Sequence, residues 1–286
     1  MKNLFSVMVI MLAGMALRGQ ALEQHAFFSG REYSIDLKLP PENFSGKNAS
    51  WTILSRGSRV GQGKLTADDQ LMRFMMRELR PGMVISASMR IGGVRRSMIA
   101  NLYFFSDKPF AEMRSLSNLN IVLWPKESDL GGTLDKFGLP HTKVTELKEF
   151  EGDVLLLGGA DFNIEDGLSL QLLKLAREGK KIIITPPLVG KFKLPNDEFS
   201  KVSIIPRNGL KSMRREFDNL PLASSIDIDV NGKELLMKFV SGNNGIGGAV
   251  IDIGNGMIIF SGWSLTDINN PTAIYLLRQY LDPSFR

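Results

Sequence analysis

The stretch DVLLLGGAD, residues 153–161, decides the fold of the larger part of this chain. Val154–Leu157 are all apolar and run directly into two glycines, which is typical of a buried strand that ends at a turn. Residues 166–178 then carry leucines at helical spacing, Gly179 ends that helix, and Lys181–Thr185 is another apolar run. Apolar strands that alternate with a helix predict a parallel sheet covered on both faces.

The same alternation extends in both directions from this stretch. Upstream, the pattern predicts two strands and a helix: Asn120–Trp124, Gly131–Leu139 and Thr142–Leu147. Downstream it predicts a hairpin around Gly254-Asn255-Gly256, a second within Ile226–Phe239, and a final helix, Pro271–Leu281, capped by Asn269 or Asn270. Residues 119–286 are therefore predicted to form an α/β domain with a mostly parallel sheet.

The preceding part of the chain has a different pattern. Short segments alternate polar and apolar residues between turn signals: Tyr33–Leu39, Ser50–Ser55, Val60–Leu65, Met83–Ile91 and Val94–Phe105. Residues 79–83 resemble the "L-x-P-G-x" start of a late strand in immunoglobulin-like modules of exported bacterial proteins, which favours a strand over a helix within residues 68–79. We expect an all-β, immunoglobulin-like sandwich at residues 30–106, with Trp51 in its core, and a linker at residues 107–118.

The N-terminus predicts export. A basic start at Lys2 is followed by an apolar run, Leu4–Leu17, and by small residues at Gly19 and Ala21. These are the three parts of a secretory signal, so residues 1–21 are expected to be removed by cleavage after about Ala21. The apolar run stops at Arg18, short of the roughly 20 residues that span a bilayer. The mature chain is thus predicted to be periplasmic or secreted, with no transmembrane segment.

Composition excludes several kinds of chemistry. The chain has no cysteine, so disulfides, thiolate metal sites and cysteine nucleophiles are ruled out. Its two histidines, His25 and His141, are too few for a zinc site, and no Gly-x-Ser-x-Gly motif accompanies them. The net charge of +5 falls by two when Lys2 and Arg18 leave with the signal, which is too weak to indicate nucleic-acid binding. We expect no metal and no cofactor.

Residues 119–286 resemble the class I glutamine amidotransferase-like fold. The shared features are Asp153–Leu157 with its Gly-Gly turn, the run that follows Gly179, and residues 254–262. The resemblance implies flavodoxin-like layering and, in the enzymes, a cysteine on a strand-to-helix turn with a nearby His and Glu. Here that turn, Thr185–Gly190, holds two prolines and no cysteine, and Trp263–Asp267 contains neither His nor Glu. The resemblance therefore implies a catalytically degenerate member, of the kind found in exported proteins and attached to large glycoside hydrolases.

Ligands of open parallel sheets bind beyond the carboxyl ends of the strands. The sequence assigns eight residues to that edge: Trp124, Gly158, Gly159, Asp161, Pro186, Trp263, Asp267 and Asn269. Two tryptophans beside aspartate and asparagine suit stacking and hydrogen bonding to a sugar. The competing interpretation is that both tryptophans only pack at strand ends.

Three functions follow from these patterns. The leading hypothesis is an exported, non-catalytic binding or assembly protein in polysaccharide processing, with a glycan or an envelope protein as its partner. The second is a glycan-acting hydrolase that uses Asp161 and Asp267 as paired carboxylates, although carboxylates at Asp161, Glu165 and Asp166 also favour a helix start. The third is a structural envelope protein without a small ligand.

Overall fold

The computed structural model describes residues 26–44, 49–95, 98–113, 115–163, 167–194, 200–206, 226–230, 233–237 and 246–285. The chain divides into two compact units, one ending at Asp107 and the other beginning at Lys108. Among the described residues, no helix has the length and apolar character needed to span a membrane. The predicted signal, residues 1–21, lies outside the described ranges.

The regular elements described in the first unit are strands and one short 3-10 helix, Pro41–Asn43. The strands are β1 Ala26–Phe28, β2 Glu32–Asp36, β3 Ala49–Ser55, β4 Ser58–Leu65, β5 Leu71–Met75, β6 Val84–Gly92 and β7 Met98–Phe105. Five of them form a sheet in the order β1-β7-β6-β3-β4, and β2 pairs with β5 in a second sheet. The strand favoured within residues 68–79 is β5.

The two sheets of this unit share one hydrophobic core. Phe27 of the larger sheet packs edge-on against Phe74 of the smaller one, at 5.2 Å between ring centroids. Trp51 is 3% exposed, as predicted for a core residue. Its indole lies over Gly61 and Gly63 of the neighbouring strand β4, where a Cβ at either position would come within 3.0 Å of the ring.

In its described ranges, the second unit combines strands with three α-helices. In chain order its elements are β8 Ile121–Trp124, α1 Leu130–Lys136, β9 His141–Lys143, β10 Val154–Asp161, α2 Leu168–Arg177, β11 Lys181–Val189, β12 Lys191–Leu194, β13 Ser200–Pro206, β14 Ile226–Val230, β15 Lys233–Met237, β16 Ile246–Ile253, β17 Gly256–Ser261 and α3 Pro271–Leu281. A 3-10 helix, Leu147–Glu149, precedes β10.

A seven-stranded mixed sheet organises this unit, in the order β13-β16-β17-β11-β10-β8-β9. The five strands from β17 to β9 are mutually parallel, β16 is antiparallel to β17, and β13 is antiparallel to β16. Counted from the β9 edge and numbered by their succession in the chain, the parallel strands have the order 2-1-3-4-5. The direction in which strands are added to the sheet, its winding, therefore reverses between β8 and β10. Such a reversal opens a crevice at the carboxyl ends of the two strands.

Local signals explain why the outer elements form where they do. Asn270 caps α3, because its side-chain oxygen accepts hydrogen bonds from Thr272 N at 3.0 Å and Ala273 N at 3.4 Å, and Pro271 occupies the first turn. The predicted hairpin is also present, with Ile253 opposite Gly256. Its positive φ of 59° lies at Gly254 and not at Asn255, which is the pattern of a II′ turn.

Strand β11 corrects one prediction. The sequence ends this strand at Thr185 and places a turn over Thr185–Gly190, but the strand continues to Val189 and is followed by β12. The pairing with β10 shifts between Gly158 and Ala160, so Pro186 and Pro187 fall where the ladder is interrupted. Because proline cannot donate a ladder hydrogen bond, this irregularity is what lets the strand pass through both residues.

The small sheet beyond β11 has the order β12-β14-β15. β14 and β15 pair antiparallel, as expected for the second predicted hairpin, whose turn residues Asn231 and Gly232 lie outside the described ranges.

Residues predicted as a linker are packed onto the second unit. Phe110 is buried and meets Phe137 edge-on at 6.0 Å, and Arg278 Nε donates to the carbonyl oxygen of Pro109 at 2.7 Å. The polar composition of residues 107–118 favoured a linker, but the buried side chains of Phe110 and Leu116 hold this segment in place.

The C-terminal end of α3 yields a pH prediction. Lys181 Nζ donates to the carbonyl oxygens of Tyr280, at 3.3 Å, and Asp282, at 2.6 Å. Partial burial opposes ionisation of Asp282, but hydrogen bonds from Ser284 and the charges of Lys181 and Arg278 outweigh it and lower the pKa of Asp282. A lowered folded pKa means that the carboxylate stabilises the fold above its unfolded pKa of about 3.9 and loses that effect as the pH falls through the folded value.

We therefore expect the chain to melt at a higher temperature than its Asp282→Asn variant at pH 7, with a gap that shrinks as the pH falls below about 4. Thermal unfolding of both proteins at pH 7 and pH 3 measures this gap. An equal gap at the two pH values would contradict the assignment.

Candidate functional site

The register of the parallel strands defines the carboxyl edge of the sheet. Trp124, the last residue of β8, lies opposite Leu157 of β10, and Leu157 lies opposite Ile184 of β11. One residue further on, Gly158 pairs with Thr185, whose buried hydroxyl donates to the Leu157 carbonyl oxygen at 3.0 Å. Trp124 and Gly158 therefore lie next to the point where the winding reverses.

Ser128 is the residue that sequence reasoning missed at this edge. A Cβ on Gly158 would lie 1.6 Å from Ser128 Oγ, so the loop between β8 and α1 rests directly on β10. Ser128 Oγ accepts a hydrogen bond from Leu130 N at 3.3 Å, and Ser128 N donates to the Pro125 carbonyl oxygen at 3.0 Å. The available signal was its place in the loop after the first parallel strand.

Gly159 and Pro186 lie where β10 and β11 approach each other most irregularly. Gly159 has a φ of 97°, a conformation that glycine adopts without strain. A Cβ there would also lie 3.1 Å from Pro187 Cδ. Pro186 is half-buried, and the peptide bond between Pro186 and Pro187 is cis.

Trp124 is the accessible tryptophan of the protein. Its side chain is half-buried and packs in part on the sheet core, while its indole N–H donates to the Thr145 carbonyl oxygen at 3.1 Å. The other two tryptophans, Trp51 and Trp263, are 3% and 0% exposed. Of the three tryptophans, only Trp124 can therefore offer an aromatic surface to a ligand at this edge.

Trp263 is a packing residue, which corrects its assignment to the ligand crevice. A Cβ on Gly247 of β16 would lie 1.8 Å from the Trp263 ring, so the indole fills the space that this glycine leaves. Its backbone is fixed as well, because Ser261 Oγ accepts from Trp263 N at 3.2 Å and donates to its carbonyl oxygen at 3.0 Å. A fully buried ring has no face for stacking on a sugar.

The carboxylates assigned to the edge act in local turns. Asp161, the half-buried last residue of β10, accepts from Asn163 N at 2.9 Å, and the exposed Asp267 accepts from Asn269 N at 3.0 Å. Each bond spans two residues, which is the geometry of an Asx turn. The alternative interpretation of Asp161 placed it at the start of a helix. Helix α2 begins only at Leu168, so that interpretation is wrong for Asp161. Glu165 and Asp166 lie outside the described residues.

Asp161 and Asp267 belong to separate local turns, and His141 lies at the amino edge of the sheet. The described ranges contain no group of three or more acidic and histidine side chains suited to a metal ion. His141 pairs with Ile121 at the amino end of β8, about 10 Å along the sheet from Trp124. Its Nδ1 donates to the Leu139 carbonyl oxygen at 3.1 Å. His25 lies outside the described ranges.

A cavity of about 250 Å³ lies at the opposite edge of the sheet. It is formed at the amino ends of β10, β11 and β17, with Asp153, Lys181, Asn255 and Met257 among its lining residues. Lys181 already donates to carbonyl oxygens at the end of α3. Because parallel sheets bind ligands at their carboxyl ends, this cavity is not the expected site.

Comparison with known proteins adds little to this geometry. No family model matches the chain, and no curated protein matches it. A solved structure that does match is that of a sialyltransferase from Photobacterium damsela, with 10% sequence identity and a TM-score of 0.19. The match covers 57% of this chain and only 35% of that chain. So small a likeness carries no argument about fold or function.

Proposed function

We propose that this chain is an exported, non-catalytic binding or assembly protein of a polysaccharide-processing system, and that it holds a glycan at the carboxyl edge of β8 and β10. The observation that carries the proposal is the accessible Trp124 at the reversal of the winding. An aromatic face at such an edge suits stacking on a sugar ring. Asp161 and Pro186, both half-buried, follow on the adjoining strands β10 and β11 and are the side chains proposed to extend the contact.

We further propose that the second unit is a degenerate glutamine amidotransferase-like domain. Its support is the order of the parallel strands and the succession of β10, a Gly-Gly step, α2 and β11. The nucleophile elbow of that family needs a strand that turns into a helix, whereas β11 passes through Pro186 and Pro187 into β12. A cysteine introduced after Ile184 would lie within a continuous strand and not on a strand-to-helix turn. The backbone conformation that the family's catalysis requires is therefore missing together with the cysteine.

The first unit fits an immunoglobulin-like sandwich in this proposal. Its support is the pair of sheets over one core and the strand β5 that precedes Pro81 and Gly82. Export rests on the sequence of residues 1–21, and it would bring the mature chain to the compartment where envelope glycans and envelope proteins are found.

A single panel assay tests the proposal. Residues 22–286 are screened against bacterial and plant glycans for binding and for hydrolysis, together with the variants Asp161→Asn and Asp267→Asn. We expect binding without turnover in all three proteins, because both carboxylates serve turns that asparagine can reproduce. Turnover that either variant abolishes while its fold is intact would sink the proposal in favour of a glycan hydrolase. If neither binding nor hydrolysis of any glycan is detected, a structural envelope protein would be favoured.

A further inference from the structure

In the part of the chain that the structure describes, the smaller sheet of the first unit ends at the unpaired edge of β2. Among the described residues, β2 pairs with β5 alone, while the larger sheet that faces it has five strands. On the other side of the smaller sheet, β5 lies beside β4. The free edge of β2 is therefore the place where this sheet can be extended by another strand.

Successive residues of β2 point their backbone N–H and C=O groups alternately toward β5 and toward the unpaired edge. Leu37 N donates to the Gln70 carbonyl oxygen at 3.3 Å, directly beyond the register in which Ile35 lies opposite Met72. Because alternate residues of an antiparallel strand bond to the same neighbour, Tyr33 and Ile35 bond to β5. The N–H and C=O groups of Glu32, Ser34 and Asp36 point away from it.

The side chains of these same three residues face solvent. Glu32, Ser34 and Asp36 are exposed, whereas Tyr33 and Ile35 pack on the core. An added strand would place three of its own alternate side chains beside them. Two carboxylates that flank a serine favour lysine or arginine at both flanking positions and a small or hydroxyl residue between them.

The same charges disfavour pairing with a second copy of this chain in the register centred on Ser34. Antiparallel pairing of two β2 strands about Ser34 would put Glu32 of each copy opposite Asp36 of the other, and like charges in direct opposition are destabilising. The acidic pair thus discriminates between partners by repulsion as well as by attraction.

We propose that the edge of β2 binds an extended segment of another polypeptide that carries basic side chains four residues apart, and that this segment adds a third strand to the sheet. The backbone bonds supply affinity and the two carboxylates supply specificity. This site lies in the first unit and does not depend on the glycan site proposed for the second.

Three blocked heptapeptides test the proposal on the full chain. The first is Thr-Lys-Val-Thr-Val-Lys-Thr, and the second has glutamate in place of both lysines. The third has proline in place of the central threonine, whose N–H would otherwise donate to the Ser34 carbonyl oxygen in an antiparallel pairing. Amide hydrogen exchange read by NMR reports binding at each residue. We expect slowed exchange at the amides of Glu32, Ser34 and Asp36 with the lysine peptide, about tenfold weaker binding of the glutamate peptide, and none of the proline peptide.

A charge-reversed variant is the matched control. Glu32→Lys combined with Asp36→Lys changes two exposed side chains and is expected to prefer the glutamate peptide. Equal binding of the lysine and glutamate peptides, or protection at other residues, would overturn the proposal. Slow exchange of these three amides in the free chain would also overturn the proposal, because the edge would then already be covered. Protection that rises with protein concentration would identify a second copy as the cover, and protection independent of concentration would identify the chain itself.

Discussion

Replacing Trp263 by alanine is expected to destabilise the second unit by about 3–5 kcal/mol, the usual cost of removing a fully buried tryptophan. The indole is 0% exposed and fills the space over Gly247, so its loss leaves a cavity against β16. Denaturant unfolding followed by circular dichroism measures the change. The half-buried Trp124 is the matched control, and its replacement by alanine should cost clearly less.

This comparison separates packing from ligand binding. Both tryptophans were assigned to one crevice on the basis of their positions after strands, yet only Trp124 keeps accessible surface. A cost for Trp263→Ala well below about 3 kcal/mol would mean that Trp263 is not a core residue, and the two-tryptophan sugar site would have to be restored.

The second large effect is expected at Gly158. Gly158→Ala would bring a methyl group to 1.6 Å from Ser128 Oγ and 2.5 Å from Ser128 Cβ, so the β8–α1 loop must move. We expect a loss of about 1–3 kcal/mol in the free energy of unfolding, as for other overpacked sites. Gly132→Ala is the control: outside the backbone of α1 itself and the chain neighbours of Gly132, no atom lies within 4 Å of the added Cβ, and alanine should stabilise α1 by about 0.5–1 kcal/mol.

A double-mutant cycle ties this effect to Ser128. Combining Gly158→Ala with Ser128→Gly removes both close atoms and leaves Ser128 Cα, at 3.5 Å, as the nearest contact. The cycle should therefore give a favourable coupling energy between the two substitutions. Additive costs would show that the loop does not rest on Gly158.

Elements with a strong periodic signal were predictable from the sequence. The apolar runs that became β10 and the first part of β11 were identified, and so was the hairpin at Gly254, because each depends on neighbouring residues alone. The cap of α3 was narrowed to Asn269 or Asn270, and the structure selects Asn270. The extension of β11 was not, since two prolines normally end a strand. Only the shifted pairing opposite Gly158 and Ala160 accommodates them.

The candidate site was predictable in position but not in detail. Topology alone puts the ends of β8 and β10 at the reversal of the winding. Whether a tryptophan there is exposed depends on distant residues, as Trp263 depends on Gly247, and no local pattern records such a contact. For the same reason, the proximity of Ser128 to Gly158 was not visible in the sequence.

The central claim is that this edge binds a glycan through Trp124, and tryptophan fluorescence tests it most directly. The chain has three tryptophans, of which Trp51 and Trp263 are shielded, so a spectral change on addition of a glycan that binds in the panel reports on Trp124. We predict a saturable change that persists in Trp51→Phe, and in Trp124→Ala the loss of that change together with at least a roughly tenfold loss of affinity, equivalent to about 1.4 kcal/mol. Unchanged glycan affinity in a folded Trp124→Ala variant would contradict the account.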